Sequence, residues 1–241
     1  MTTWTPRALA SEAHAYAHTL WRVVEAQHTA STMRLADSLE EQTVLELILE
    51  DSKPPLPAAA RKLHYLLATP FRYRPHHGSR FRAPLDAGVW YGAEALRTAL
   101  AEKSYWRLRF LLDSPATPDL KAVPHSAFRA AVRTGAALDL TRAPLLQDRT
   151  QWTQRSRYAD TQSLAAVARA ADIQIIRYES VRDPEHAACA AVLDPGAFGR
   201  GKPRAQESWF IAASRVRVRC ACDERSGATW EFTAAQLLGE E

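Results

Sequence analysis

The feature that most constrains this 241-residue chain is a dense β-branched run at Ile173–Tyr178, which predicts a strand buried inside a sheet. Around it the apolar period keeps changing. Residues 7–18 read as a short helix and Leu20–Val24 as a strand. Ser38 followed by Glu41 has capping-box spacing, and Leu39, Val44, Leu45, Ile48 and Leu49 carry an apolar stripe to about Asp51. The prolines after Lys53 stop that helix, and residues 58–67 predict a second one. Residues 69–86 form a loop rich in Pro, Gly, His and Arg, followed by a short strand ending at Tyr91. Further along, a helix is expected over Ala93–Leu112, a strand over Val123–Val132, and a helix from Asp160 or Thr161 to about Ala171. Gly196–Glu207 reads as a mobile loop, and strands follow through Phe210–Cys222 and Thr229–Phe232. No repeat or linker divides the chain, so residues 1–241 are expected to form a single domain. Helices and strands interleave without a strict βαβ rhythm, which predicts a mixed α+β fold.

A chain of this length can bury a core without disulfides or metals. The three cysteines, Cys189, Cys220 and Cys222, are too few for a disulfide framework and match no zinc-ligand spacing. No metal is expected. No apolar signal-peptide core follows the N-terminus, and no apolar stretch reaches the ~18 residues of a membrane span. A cytoplasmic protein with no membrane role is therefore predicted.

Net charge is +4, but its distribution is uneven. From Ala36 to Asp51 there are six acids and no Lys or Arg; from Arg61 to Arg82 there are six basic residues and no acid. Such a block suits a phosphate-bearing ligand or nucleic acid, but on charge alone a solvated basic loop is the commoner reading. A second anomaly lies on the helix at 93–112. Ala95, Ala99, Trp106 and Phe110 share a face, and Glu102 falls in the middle of it. A carboxylate there is uncommon unless it is paired, for example with an arginine of the basic block, or used chemically.

Spacing adds context. Arg80-Phe81 lies 11 residues before Tyr91, and Tyr91 lies 11 before Glu102. The segments Gly78-Ser79-Arg80-Phe81-Arg82, Gly88-Val89-Trp90-Tyr91 and Thr98-Ala99-Leu100-Ala101-Glu102 resemble, in order and spacing, the pattern of the RES family. Upstream, Leu20-Trp21-Arg22-Val23-Val24 is similar to that family's early strand. Downstream, Ile175-Ile176-Arg177-Tyr178-Glu179-Ser180-Val181-Arg182-Asp183-Pro184 is similar to the segment that carries its serine. Longer members also share stretches like Glu25-Ala26-Gln27-His28 and His64-Tyr65-Leu66-Leu67, so the resemblance runs from about residue 20 to 232. The chain departs from compact members in the 57 residues between Arg22 and Arg80. Residues 29–70 are expected to be a helical elaboration, suited to docking or to ordinary decoration of the fold.

The resemblance implies an α+β core like that of ADP-ribosyltransferase toxins, with a cleft for NAD+. It also implies a toxin that degrades NAD+ by phosphorolysis or hydrolysis, with inorganic phosphate or water as acceptor and an Xre-type antitoxin as partner. Some members are ADP-ribosyltransferases, which leaves protein modification as an alternative. Carried onto this sequence, Arg22 and Arg80 would bind the two phosphates through charge-assisted hydrogen bonds. Tyr91 would supply a flat wall with its hydroxyl free, and Glu102 would stabilise positive charge developing on the ribose. Ser180 would orient the ribose, carboxamide or acceptor; no His-Asp pair is evident to make it a nucleophile.

Other signals carry less. His14 and His18 stand four apart on the expected helix without a third ligand, and His76-His77 adjoins the basic loop. Gly199-Arg200-Gly201-Lys202 lacks the context of a phosphate loop. Arg182 and Asp183 suit a local ion pair, although Arg182 can also face a cleft. A nucleic-acid-binding module is the alternative from another class, but residues 61–82 show no recognition helix or base-stacking motif, so no direct nucleic-acid contact is expected.

Overall fold

The computed structural model describes residues 4–26, 36–223 and 227–239. Gln27-His28 and the first part of the expected elaboration, residues 29–35, lie outside them. Helix α1 (Pro6–Ser11) is capped by Thr5, whose hydroxyl accepts from the Ala8 amide at 3.2 Å. Strand β1 (His14–Glu25) follows at once, so the helix expected over 7–18 is cut short. Its buried residues, Tyr16, Leu20 and Val23, are spaced three and four apart as on a helix. Antiparallel pairing with a distant strand overrides that local pattern. His14 and His18 therefore lie on a strand, not on one helix face.

Helix α2 (Leu39–Asp51) starts where the sequence predicts: Ser38 Oγ accepts from the Glu41 amide at 3.1 Å, and the Glu41 carboxylate reaches back to the Asp37 amide. Its apolar stripe nevertheless joins no core. No residue of α2 is buried, and Leu39, Val44, Leu47 and Ile48 are exposed. The helix expected over 58–67 is displaced. A short 3₁₀ turn occupies Ala58–Ala60, and α3 (Tyr65–Arg72) begins after His64, whose Nδ1 accepts from the Leu66 amide.

The remaining elements are β2 (Trp90–Ala93), α4 (Leu96–Asp113), β3 (Leu120–Asp139), α5 (Arg149–Trp152), α6 (Ala159–Ala170), β4 (Ile175–Glu179), β5 (Ala188–Val192), β6 (Arg204–Ala213), β7 (Arg217–Cys222), β8 (Thr229–Thr233) and α7 (Ala234–Leu238). The strand expected to end at Tyr91 thus runs two residues further. The segment expected to be a mobile loop is tied down: Ala197 and Phe198 are buried, the Gly199 amide donates to the Ala131 carbonyl, and β6 already begins at Arg204.

The strands form one mixed sheet in the order β1-β2-β5-β4-β3-β6-β7-β8, antiparallel except for the β3–β4 pair. Because β1 also pairs with β3, the strands β1, β2, β5, β4 and β3 close into a ring of hydrogen-bonded neighbours. The twenty-residue β3 makes this possible, pairing with β1 along most of its length, with β6 near its start and with β4 at its end. The dense run at β4 is buried on both faces, as such a strand must be. Ile176 and Tyr178 enter a core shared with α4 and α6, whereas Ile175 enters a second core with Phe71, Trp90 and Phe198. The molecule is thus a mixed α+β domain with a large sheet.

Candidate functional site

Strands β1 and β2 meet at a single register pair, Trp21 with Ala93, and separate beyond it. In place of a continued ladder, Arg22 Nη1 donates to the Tyr91 carbonyl at 3.1 Å. A cavity of about 460 Å³ opens at this parting and runs under α4; Arg22, Arg80, Tyr91, Glu102, Lys103 and Arg182 are among the residues that line it. That volume lies in the range of small-molecule sites.

Glu102 Oε1 accepts from Ser180 Oγ at 2.6 Å, not from an arginine of the basic block. Ser180 is fully buried and does not line the cavity. Its oxygen also accepts from the Arg182 and Asp183 amides at 3.2 and 3.0 Å. Expected against the ligand, it stands behind the carboxylate and orients it. The turn after β4 grips the same helix a second time, because Asp183 accepts from Arg97 at 2.6 Å and from Thr98 at 2.7 Å. Asp183 is therefore paired with Arg97 and not with Arg182. Two adjacent turns of α4 are held by one tight loop, which sets the direction of Glu102.

Tyr91 is also more engaged than expected. Its hydroxyl accepts from the Phe81 amide at 3.0 Å and shares a hydrogen bond with Ser79 Oγ at 2.8 Å. Burial pushes its pKa up, and these two bonds oppose the shift. The hydroxyl thus pins the tight turn of residues 79–82, which carries Arg80, and only the ring remains to wall a ligand. Arg80 Nη1 donates to the Trp152 and Gln154 carbonyls, with its guanidinium over the Tyr158 ring at 4.9 Å. Gln162 Nε2 donates to the Ser79 carbonyl and fixes the turn to α6.

The lining carries an excess of positive charge. Among the described residues no carboxylate lies within ion-pair distance of Arg22, Arg80, Lys103 or Arg182. Burial lowers the Arg22 pKa to about 10, which still leaves it charged at neutral pH. Burial likewise lowers that of Lys103. Sequestered cations without a carboxylate partner favour an anionic ligand, although Arg80 and Arg182 already donate to main-chain carbonyls. Cys189 is no competing nucleophile: its Sγ stands 4.0 Å from Glu102, and burial with that neighbouring carboxylate raises its thiol pKa well above the ordinary value.

The sequence reading gave no site role to Lys103, Trp21, Trp106 or Tyr158, all of which line the cavity. Trp21 adjoins Arg22 and Lys103 adjoins Glu102, so adjacency to the motif residues was the available signal. The basic block disperses: Arg72 pairs with Glu50 of α2, Arg82 donates to the Pro75 and His77 carbonyls, and Arg61, Lys62 and Arg74 are exposed.

The molecule is a single α+β domain whose sheet parts over a positively lined cleft with one oriented carboxylate. It belongs to the RES domain family, whose model matches residues 55–212. Arg80, Tyr91, Glu102 and Ser180 fall inside the matched range and Arg22 outside it. No curated protein matches the chain significantly. Among solved structures, a chain of the M. tuberculosis MbcT–MbcA toxin–antitoxin complex is 12% identical, with a TM-score of 0.48, covering 86% of this chain and 92% of that one. No described helix is long and apolar enough to cross a membrane.

Proposed function

We propose that this protein is a toxin-type enzyme that takes NAD+ as substrate and breaks its nicotinamide–ribose bond. The observation that carries the proposal is Glu102, a carboxylate oriented by a buried serine inside a cavity whose other charges are mostly positive. That arrangement suits a dianionic diphosphate joined to a centre that gains positive charge as nicotinamide leaves. RES family membership supports the same chemistry.

Arg22 and Arg80 would hold the diphosphate, since neither is committed to a carboxylate among the described residues. The ring of Tyr91 would wall the nicotinamide ribose. Glu102 would stabilise the oxocarbenium-like ribose, an interaction stronger in the transition state than in the ground state. Ser180 keeps Glu102 aimed. The acceptor would be inorganic phosphate or water; the protein would act in the cytoplasm and be restrained by an Xre-type antitoxin. Protein ADP-ribosylation is the alternative acceptor chemistry.

Incubating the protein, freed of any antitoxin, with NAD+ and resolving products by mass spectrometry with and without phosphate tests this directly. Nicotinamide should appear, together with ADP-ribose or its 1-phosphate; a labelled protein would point to transfer instead. Glu102→Gln should lower kcat by about 10²–10³. No nicotinamide from the wild type would sink the proposal, and full activity in Glu102→Gln would remove the assigned carboxylate.

A further inference from the structure

A second cavity, of about 390 Å³, adjoins the first, and the two share Arg22, Val24, Ser79 and Tyr91. It differs from the first chiefly in its charges, since Glu25 and Glu102 line the first cavity. Val24, Tyr65, Leu66, Pro70, Tyr73 and Val89 give it an apolar and aromatic wall, and no carboxylate is among its described lining. Its two charged residues are Arg22 and Arg82, and the Arg82 guanidinium is occupied by the Pro75 and His77 carbonyls. Tyr65 and Tyr73 are exposed for 56% and 36% of their surface and belong to neither core. Both come from α3 and the residue after it, within the range that the family model matches.

We infer that this second cavity is the subsite for the adenine end of the dinucleotide, with Tyr65 and Tyr73 as its stacking wall and Arg22 at the crossing of the diphosphate. The inference rests on the NAD+ reading and deepens it. The direction of binding follows from charge. Glu102 lines only the first cavity, so the reacting ribose belongs there. The nicotinamide ring of NAD+ is cationic, and the second cavity, unlike the first with Glu25 and Glu102, offers no acid to set against its guanidinium groups. A neutral purine has no such conflict and gains from aromatic stacking.

Calorimetric titration with AMP and with nicotinamide mononucleotide tests this on the wild type and on Tyr65→Ala, Tyr73→Ala and Tyr65→Phe. The two alanine variants should weaken AMP binding about tenfold and raise KM for NAD+ with kcat held. They should leave nicotinamide mononucleotide binding unchanged, while Tyr65→Phe, which keeps the ring, should bind AMP as the wild type does. AMP affinity insensitive to both tyrosines, or an equal loss for both mononucleotides, would overturn the subsite. Tyrosine-dependent AMP binding by a protein that releases no nicotinamide would uphold the subsite and refute bond cleavage, so the two failures are distinguishable.

Discussion

Ser180 shows how far a residue's type can be read without its neighbours. Its place in the motif was legible, but its direction was not, because three partners far apart in sequence or folded into a turn determine it: Glu102, the Arg182 amide and the Asp183 amide. Ser180→Ala should therefore act twice. Two buried amides lose their acceptor, at a cost of about 1–3 kcal/mol, and Glu102 loses the bond that aims it. Chemical denaturation should register the first effect, and steady-state kinetics the second as a fall in kcat larger than any rise in KM. An unchanged kcat would show that Glu102 needs no positioning. Glu102 itself was noticed through an apolar face that the structure uses only in part as core: Ala99 is buried, whereas Trp106 and Phe110 on that face are 55% and 57% exposed. The anomaly was real but its cause was the cavity, which Trp106 also lines. Tyr91 was likewise found by spacing, while the occupation of its hydroxyl by Ser79 and Phe81 depended on the fold of the loop.

Among the elements, those whose signals are local were legible. Ser38 caps α2, the dense run becomes β4, and the last strand lies at Thr229–Thr233. Where pairing is distant, the sequence misled: β1 carries a helix-like spacing of buried residues, yet is a strand because β3 lies beside it. Gly88 marks another tertiary constraint. A Cβ there would stand 1.8 Å from the Pro70 carbonyl oxygen, backbone that cannot move aside. Gly88→Ala should force α3 away from the strand entry and lower stability by several kcal/mol, about 3 or more, as overpacking does; a thermal melt matching the wild type would disprove that close approach. Helix α2 predicts the opposite. With no buried residue to lose, Leu47→Glu should change stability by no more than about 0.5 kcal/mol, and a large drop in a denaturant melt would mean that α2 packs where it is seen exposed.

On the scale of the whole molecule, stability should depend on pH through His125. It is 1% exposed on β3, its Nδ1 lies 2.9 Å from the Val123 carbonyl, and its Nε2 has no partner among the described residues. Burial, opposed by the hydrogen bond to the Val123 carbonyl and by Glu25 but reinforced by Lys103 and Arg107, lowers its pKa from 6.5 to about 4. The unfolded chain therefore binds the proton more readily, so stability should fall as pH drops from about 6.5 to about 4, by up to about 3 kcal/mol. Denaturant titrations across that window should show the slope, and His125→Gln should flatten it; an unaltered slope in the variant would exonerate this residue. Below that, protonation of Asp139 and Glu94 adds to the loss. Burial opposes their ionisation, but hydrogen bonds from Thr141 and Arg177 to Asp139, and from Arg177 and Tyr16 to Glu94, outweigh it and hold both pKa values low. The network ties β1, β3 and β4 to the residue that follows β2, and no spacing rule reveals it. From the sequence alone came the mixed α+β class, the capped α2, the buried β4 and the ordered set of Arg80, Tyr91, Glu102 and Ser180, because short-range periodicity and motif spacing record them. The tertiary structure alone decided that β1 is a strand, that Ser180 stands behind Glu102, and that β1 and β2 part over two cavities meeting at Arg22. These depend on which distant strands and carbonyls compete for the same donors, and that competition is settled only when the sheet closes.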